Sequence, residues 1–319
     1  MLGSDRAAPL AVDVAIELRD ALSRRQKELP PRWLAAVDAS TLAESATMSP
    51  GHALDTTERE LGLALLRNHL GDARPRGIMC VRPGMSSVYV SLVESLRERG
   101  SVVSIAAAEL DATLAREALE RIAGPDARQA SVALVCDCAV ELPLPDTFPR
   151  PRVYLCLGNV LGSTTTVGAV RMLRVLRTTM TPADSIVLGL DVRHTGSANA
   201  GDDDDPETVT PARHLAALDR VNASTGATFD LDRFDYQSRF DRDNRRVETH
   251  LVARRALALE VPGVCNVRLR KGESIRTSVR CLFDRARVAA MVGGVGLALR
   301  QWTTDPDDTY VVALATPAV

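Results

Sequence analysis

No excess of charge of either sign marks this chain. Its 39 Lys and Arg against 41 Asp and Glu leave a formal net charge of -2, which implies no strongly basic surface and makes nucleic acid a poor first expectation. No apolar run reaches the roughly 18 residues that a membrane span needs, and the N-terminal MLGSDRAAP lacks a basic-then-apolar leader. A cytoplasmic protein without membrane attachment is expected. Clusters of metal ligands are missing too. Of six cysteines only Cys136 and Cys138 lie close together; in a strand they share a face, but no histidine nearby completes a tetrahedral set. Most of the others sit in apolar runs, where cysteine packs as a small hydrophobe. No metal is expected.

What the chain does have is enough apolar material, 45% of 319 residues, for one large domain or two linked ones. The most informative stretch runs from Val153 to Val192. An apolar strand enters a Gly-Asn-Val-Leu-Gly-Ser loop, an amphipathic helix follows, and a second apolar strand ends at Asp191. Two parallel strands joined by one helix put both strand ends on the same sheet edge, where open α/β proteins bind small molecules.

Val12 to Glu28 reads as an amphipathic helix stopped at Leu29-Pro30-Pro31, and a second helix follows Asp55, with Asp55 or Thr57 as its cap. This region is expected to hold no strands. Alternation begins at Gly77: strands at Ile78–Val81, Ser101–Ile105, Ser131–Cys136, Arg152–Leu157 and Ser185–Leu190 are separated mostly by helical segments. That pattern predicts a mostly parallel, doubly wound sheet with loops gathered around one cleft. Beyond Asp191 come an acidic loop at 201–206, a helix near 210–224, strand-like runs at Val247–Leu259 and Val264–Leu269, and a helix near Arg285. Two last strands, Gly296–Trp302 and Thr309–Ala315, form a C-terminal antiparallel hairpin. The expected division is an N-terminal helical segment over 1–72 belonging to an accessory domain, a Rossmann-like core over 73–200, an insertion over 201–282 completing the accessory, substrate-side domain, and the end of the core sheet over 283–319.

Several collinear segments resemble the histidine-specific, S-adenosylmethionine-dependent N-methyltransferases of ergothioneine biosynthesis. Lys27-Glu28-Leu29-Pro30-Pro31 and Thr56-Thr57-Glu58-Arg59-Glu60 match that family's Lys-x-Leu-Pro-Pro and Thr-Arg-x-Glu segments. Leu157-Gly158-Asn159-Val160-Leu161-Gly162-Ser163 corresponds to its Leu-Gly-Gly-Thr-Ile-Gly-Asn, and Val187-Leu188-Gly189-Leu190-Asp191 to its Leu-Leu-Gly-x-Asp. Further matches are Ala227 to Phe234, Arg246 to Leu251 and Gly272 to Thr277. The resemblance runs over nearly the whole chain and implies a class I methyltransferase fold with S-adenosylmethionine as cofactor, although a fold alone does not establish activity.

The departures fall at the sites. The family's Glu-Leu-Gly-Ser-Gly is Val81-Arg82-Pro83-Gly84-Met85 here, keeping only Gly84, so side chains stand where glycines normally admit a cofactor. The resemblance implies a cofactor site of Gly84, Glu109, Asp137, Gly158 and Asn159. For Glu109 two readings stand: ribose binding at a strand end, or an acidic residue capping the helix that follows. Substrate positions correspond to Ser163, Asp203, Arg213, His214, Thr277, Ser278 and Arg280. The family's Thr-Glu-x-Ser becomes Thr277-Ser278-Val279-Arg280; a hydroxyl replaces a carboxylate and a guanidinium is added, a change that disfavours an imidazole-bearing amino acid. A small amino acid or amine other than histidine is the expected substrate. Asp191 and His214 are the catalytic candidates, with local backbone bonding as the rival role for Asp191 and an exposed helical position for His214. Arg213 and Arg280 either bind a carboxylate or phosphate or lie on the surface. The competing functional reading is the same fold without methyl transfer, its cofactor site closed by Arg82 or Met85. Oligomeric state is not legible.

Overall fold

A computed structural model describes residues 11–35, 37, 52–69, 75–84, 86–98, 102–124, 131–192 and 211–318. The chain divides into two compact units, one of Met1–Thr47 with Ser197–Val279 and one of Met48–Gly196 with Arg280–Val319. The segment expected as one piece over 1–72 is therefore split: its second helix, His52–His69, falls in the unit of the large sheet. Among the described residues no helix is long and apolar enough to cross a membrane, and no group of three or more His, Cys, Asp or Glu is placed to hold a metal ion.

In the first unit, α1 (Val12–Ser23) stops earlier than its apolar stripe suggested, and β1 (Lys27–Glu28) pairs in parallel with Ile275 and Arg276. The expectation of a strand-free N-terminal region is corrected by this pairing. With α6 (Pro211–Thr225), β7 (Phe234–Asp241), β8 (Arg246–Ala253) and β11 (Ser274–Cys281) the unit forms a sheet of order β1-β11-β8-β7. A separate hairpin joins β9 (Leu257–Val261) to β10 (Cys265–Leu269). The run read as one strand from Val247 to Leu259 is thus two. The core gathers Leu18, Leu22, Trp33, Leu218, Val221, Leu251 and Ile275.

The second unit carries α2 (His52–His69), β2 (Gly77–Val81), α3 (Ser87–Arg97), β3 (Ser104–Glu109), α4 (Ala112–Ala123), β4 (Val132–Val135), β5 (Arg152–Cys156), α5 (Thr166–Thr178) and β6 (Ser185–Asp191). It ends with α7 (Arg285–Gly293), β12 (Leu297–Thr304) and β13 (Tyr310–Pro317). The seven strands run in the order β12-β13-β6-β5-β2-β3-β4. Strands β2 to β6 are mutually parallel, and the C-terminal hairpin adds β13 antiparallel to β6. The chain builds outward from β2 to β3 and β4, then returns to β5 on the other side of β2. That reversal opens a crevice beyond the carboxyl ends of β2 and β5. Both strands are buried along their whole length, as expected of a sheet covered by helices on two faces.

Helix starts are set locally. Ser86, Asp111 and Thr165 cap α3, α4 and α5 through side-chain oxygens that accept first-turn N–H groups. Tyr89 on α3 places its hydroxyl where β2 and β5 part: it donates to Val81 O at 2.9 Å and accepts from Leu157 N at 2.9 Å. A buried tyrosine thereby closes the floor of the crevice and satisfies backbone groups that no strand pairing reaches.

Candidate active site

The loop after β2 keeps a glycine-like course although its glycines are reduced. Arg82 has φ +47° and Gly84 φ +53°, a region that side chains rarely adopt and glycine enters freely. Space at Gly84 is open: an added Cβ would meet nothing within 4 Å, and the same holds at Gly158, φ +66°, after β5. Arg82 leans across the crevice, its Nη1 3.3 Å from Ser163 Oγ, while Ser163 donates to Val160 O at 2.8 Å. Met85 lies outside the described residues.

Glu109 ends β3 and is buried. Its Oε1 accepts the Gly84 N–H at 2.6 Å. Of its two readings the helix cap goes elsewhere, since Asp111 Oδ1 takes the N–H groups of Thr113 and Leu114 at 2.8 and 3.1 Å. Burial raises the Glu109 carboxyl above its ordinary range, with the Gly84 N–H and the Arg82 charge opposing the rise. Asp137, after β4, accepts from Ala139 N at 2.9 Å in a local turn, between Cys136 and Cys138, whose sulfurs are 3.9 Å apart.

On the other side of the crevice, Asn159 adopts the left-handed conformation, φ 53° and ψ 34°, which asparagine tolerates better than most residues. Its Oδ1 accepts Asp191 N at 3.3 Å. The Asp191 carbonyl accepts Phe283 N at 2.9 Å, and its carboxylate Oδ2 is 3.5 Å from Arg280 Nη1. The second unit thus gathers Gly84, Glu109, Gly158, Asn159, Ser163, Asp191 and Arg280 at the carboxyl ends of its strands or in direct contact with them.

The first unit holds its own polar cluster. His214 on α6 is fully buried, and its Nδ1 lies 2.6 Å from Thr277 Oγ1 on β11. The exposed helical position considered for His214 is corrected by that burial. Thr277 Oγ1 also reaches Thr249 O at 3.2 Å, and the Tyr236 ring stands 5.6 Å from the imidazole. His214 Nε2 is buried with no hydrogen-bond partner among the described residues. Burial, helped by the Arg213 charge, pushes the imidazole down to about 3, so it is neutral near pH 7 and a poor proton acceptor. Arg213 is half-buried beside it, and Ser278 follows Thr277 on β11. His250 is buried as well, bonded to Ser274 Oγ at 3.0 Å and Glu248 at 3.1 Å. Asp203 lies outside the described residues.

Three residues that support the crevice were not among the sequence candidates: Tyr89, Glu58 and Tyr310. Glu58 on α2 is almost wholly buried, and accepts Gly158 N at 2.7 and 3.0 Å through its two oxygens. Tyr310 Oη donates to Glu58 at 2.7 Å and accepts Asn159 N at 3.1 Å. One signal was present in the sequence, a glycine inside the apolar strand β6, since such a glycine marks a close approach. A side chain at Gly189 would collide with the Glu58 carboxylate.

A parallel sheet reversing at β2, with open glycines and a buried acidic residue at its strand ends, defines a class I methyltransferase fold. The CcbJ methyltransferase from Streptomyces caelestis shares this fold at a TM-score of 0.53 and 15% identity, over 91% of this chain and 100% of that one. The family model described as "Histidine-specific methyltransferase, SAM-dependent" matches residues 14–317, and the chain belongs to that family. Its relatives include the histidine N-alpha-methyltransferase of Mycolicibacterium smegmatis, 28% identical over 96% of this chain and 97% of the relative. The enzyme of the same name from Mycobacterium tuberculosis is 26% identical over 92% of each. The chain is therefore an S-adenosylmethionine-dependent methyltransferase. The residues present fit that cofactor, because the positions above Gly84 and Gly158 are open and a buried carboxylate ends β3.

Proposed function

We propose that the chain methylates the nitrogen of a small amino acid or amine other than histidine. The observation that carries this reading is the segment Thr277-Ser278-Val279-Arg280. Ser278 offers only a hydroxyl where the family pattern has a carboxylate, and the Arg280 guanidinium stands beside the Asp191 carboxylate. A ring N–H⁺ presented to such residues loses its charged acceptor, whereas a carboxylate gains a donor fork. Gly84, Glu109, Asp137, Gly158 and Asn159 are the residues proposed to hold the cofactor, which supplies an electrophilic methyl group on a positively charged sulfur.

The remaining demands on the protein are alignment of a neutral nitrogen and exclusion of water. Within the second unit, Ser163 and Arg280 are proposed to orient the substrate. His214, already neutral, acts in this reading as a hydrogen-bonding group rather than a base; Asp191 remains the acidic candidate near the nucleophile. The test is a methylation screen of the full chain with methyl-labelled S-adenosylmethionine against free amino acids and amines, histidine included. Product formation on a non-histidine amine with histidine far slower is the expected result. Efficient methylation of histidine would overturn the reading.

A further inference from the structure

The loop after β5 is held from below by groups that no substrate or cofactor needs to touch. Both Glu58 oxygens accept the Gly158 N–H, and the Tyr310 hydroxyl links Glu58 to the Asn159 N–H. Two consecutive backbone amides are thus fixed by one carboxylate, the second through a phenol. The geometry is tight on every side. Gly189 on β6 passes so close that any side chain there would strike Glu58 Oε1 and stand 2.8 Å from Tyr310 Oη. The same two residues carry the left-handed turn, Gly158 at φ +66° and Asn159 at φ 53°, a region that non-glycine residues seldom occupy and asparagine enters at modest cost.

We propose that Glu58 and Tyr310 are positioning residues that set the Gly158–Asn159 turn and, through it, the affinity for the cofactor. The inference rests on the proposed place of Gly158 and Asn159 in the cofactor site. Hydrogen counting decides which state of Glu58 does this. Gly158 N–H and Tyr310 O–H both donate to the carboxylate, so the ionised form accepts from both donors, while protonation turns one of its two oxygens into a hydroxyl, a weaker acceptor. Desolvation raises Glu58 from 4.5 to about 7, against the pull of Tyr310 and Gly158. The other titratable groups facing it are Asp55 on α2 and Tyr89 on α3, with Tyr310 and, next to Tyr310, Asp191. Cofactor affinity therefore strengthens as pH rises through neutrality and weakens as Glu58 takes up a proton.

The experiment is calorimetric titration of the full chain with S-adenosylhomocysteine at about pH 6 and about pH 8, where the ionised fraction of such a group changes most. The unaltered protein is expected to bind several-fold more tightly at the higher pH. Glu58→Gln should bind about tenfold more weakly at the higher pH and lose the pH dependence; Tyr310→Phe should bind more weakly and keep it. Amide hydrogen exchange at Gly158 and Asn159 in the ligand-free protein gives a readout independent of any ligand: it should quicken at the lower pH, relative to other amides, and in Tyr310→Phe at either pH. If the unaltered protein binds no S-adenosylhomocysteine at either pH, the cofactor reading fails and takes the affinity statement with it. If it binds, but both variants match it in affinity, pH response and amide protection, the positioning role is overturned while the cofactor reading stands.

Discussion

Glu109 Oε1 accepts the backbone N–H of Gly84 at 2.6 Å, so the end of β3 holds the loop that leaves β2. In the same loop Arg82 lies in the left-handed region at φ +47°, its N–H held by Ala108 O at 2.8 Å. The carboxylate at this position braces the loop through Oε1 and also takes a backbone hydrogen bond from Leu110.

Glu109→Gln keeps the shape and one acceptor oxygen but loses the charge. Affinity for S-adenosylhomocysteine should fall about tenfold or more, the scale of a hydrogen bond to a charged group. Glu109→Ala should in addition lower stability by about 1–3 kcal/mol by orphaning the Gly84 N–H. Calorimetry and thermal melts read the two effects, and an unchanged affinity in the glutamine variant would remove Glu109 from the cofactor site.

Glu58 makes stability fall as pH rises. Its folded value of about 7 lies above the ordinary 4.5, so the folded chain holds a proton the unfolded chain has released. The contribution is complete below about 4.5 and lost as pH climbs through about 7, on the order of 3 kcal/mol in all. Denaturant unfolding of the unaltered protein and Glu58→Gln at several pH values should show this decline in the difference between the two profiles, where the other titrating groups cancel; parallel profiles would sink the assignment.

His214 has the opposite sign. Its folded value of about 3 lies below the ordinary 6.5, so its contribution is complete above 6.5 and is lost as pH drops toward 3, while the imidazole stays neutral in the folded enzyme. The acidic limb of the pH–rate profile should therefore keep its position in His214→Gln, whatever the change in rate. A limb that vanishes in the variant would restore His214 as the base.

A variant at Arg280 tells a role in substrate binding from one in cofactor binding. Arg280→Met leaves the strand-end glycines intact and removes the guanidinium beside Asp191. KM for a carboxylate-bearing substrate should rise about tenfold, the worth of a charge-assisted pair, with affinity for S-adenosylhomocysteine within about twofold. Equal losses in both would show that Arg280 serves the cofactor. In the same spirit, Ser278→Glu should shift preference toward histidine, measured as the ratio of kcat/KM for the two substrates.

The five parallel strands and the C-terminal hairpin were legible because buried strands are apolar throughout and their punctuation is strong. β7 and β11 were not. In β7 only Phe234, Tyr236 and Phe240 interrupt a polar run, and β11 contains Arg276, buried because Glu28 and Glu248 both pair with it. Charge pairs formed across such distances in sequence leave no periodic trace.

Sequence by itself determined the family, the sheet and the strand-end residues, since hydrophobic pattern and motif order are local properties of the chain. Tertiary structure decided the rest. Only it showed that Glu109 braces Gly84 rather than capping a helix, that His214 is buried and neutral, and that Glu58 reaches a glycine 100 residues away. Protonation and hydrogen bonding depend on which groups fold into contact and how much water they exclude, and neither is written in the spacing of residues along the chain.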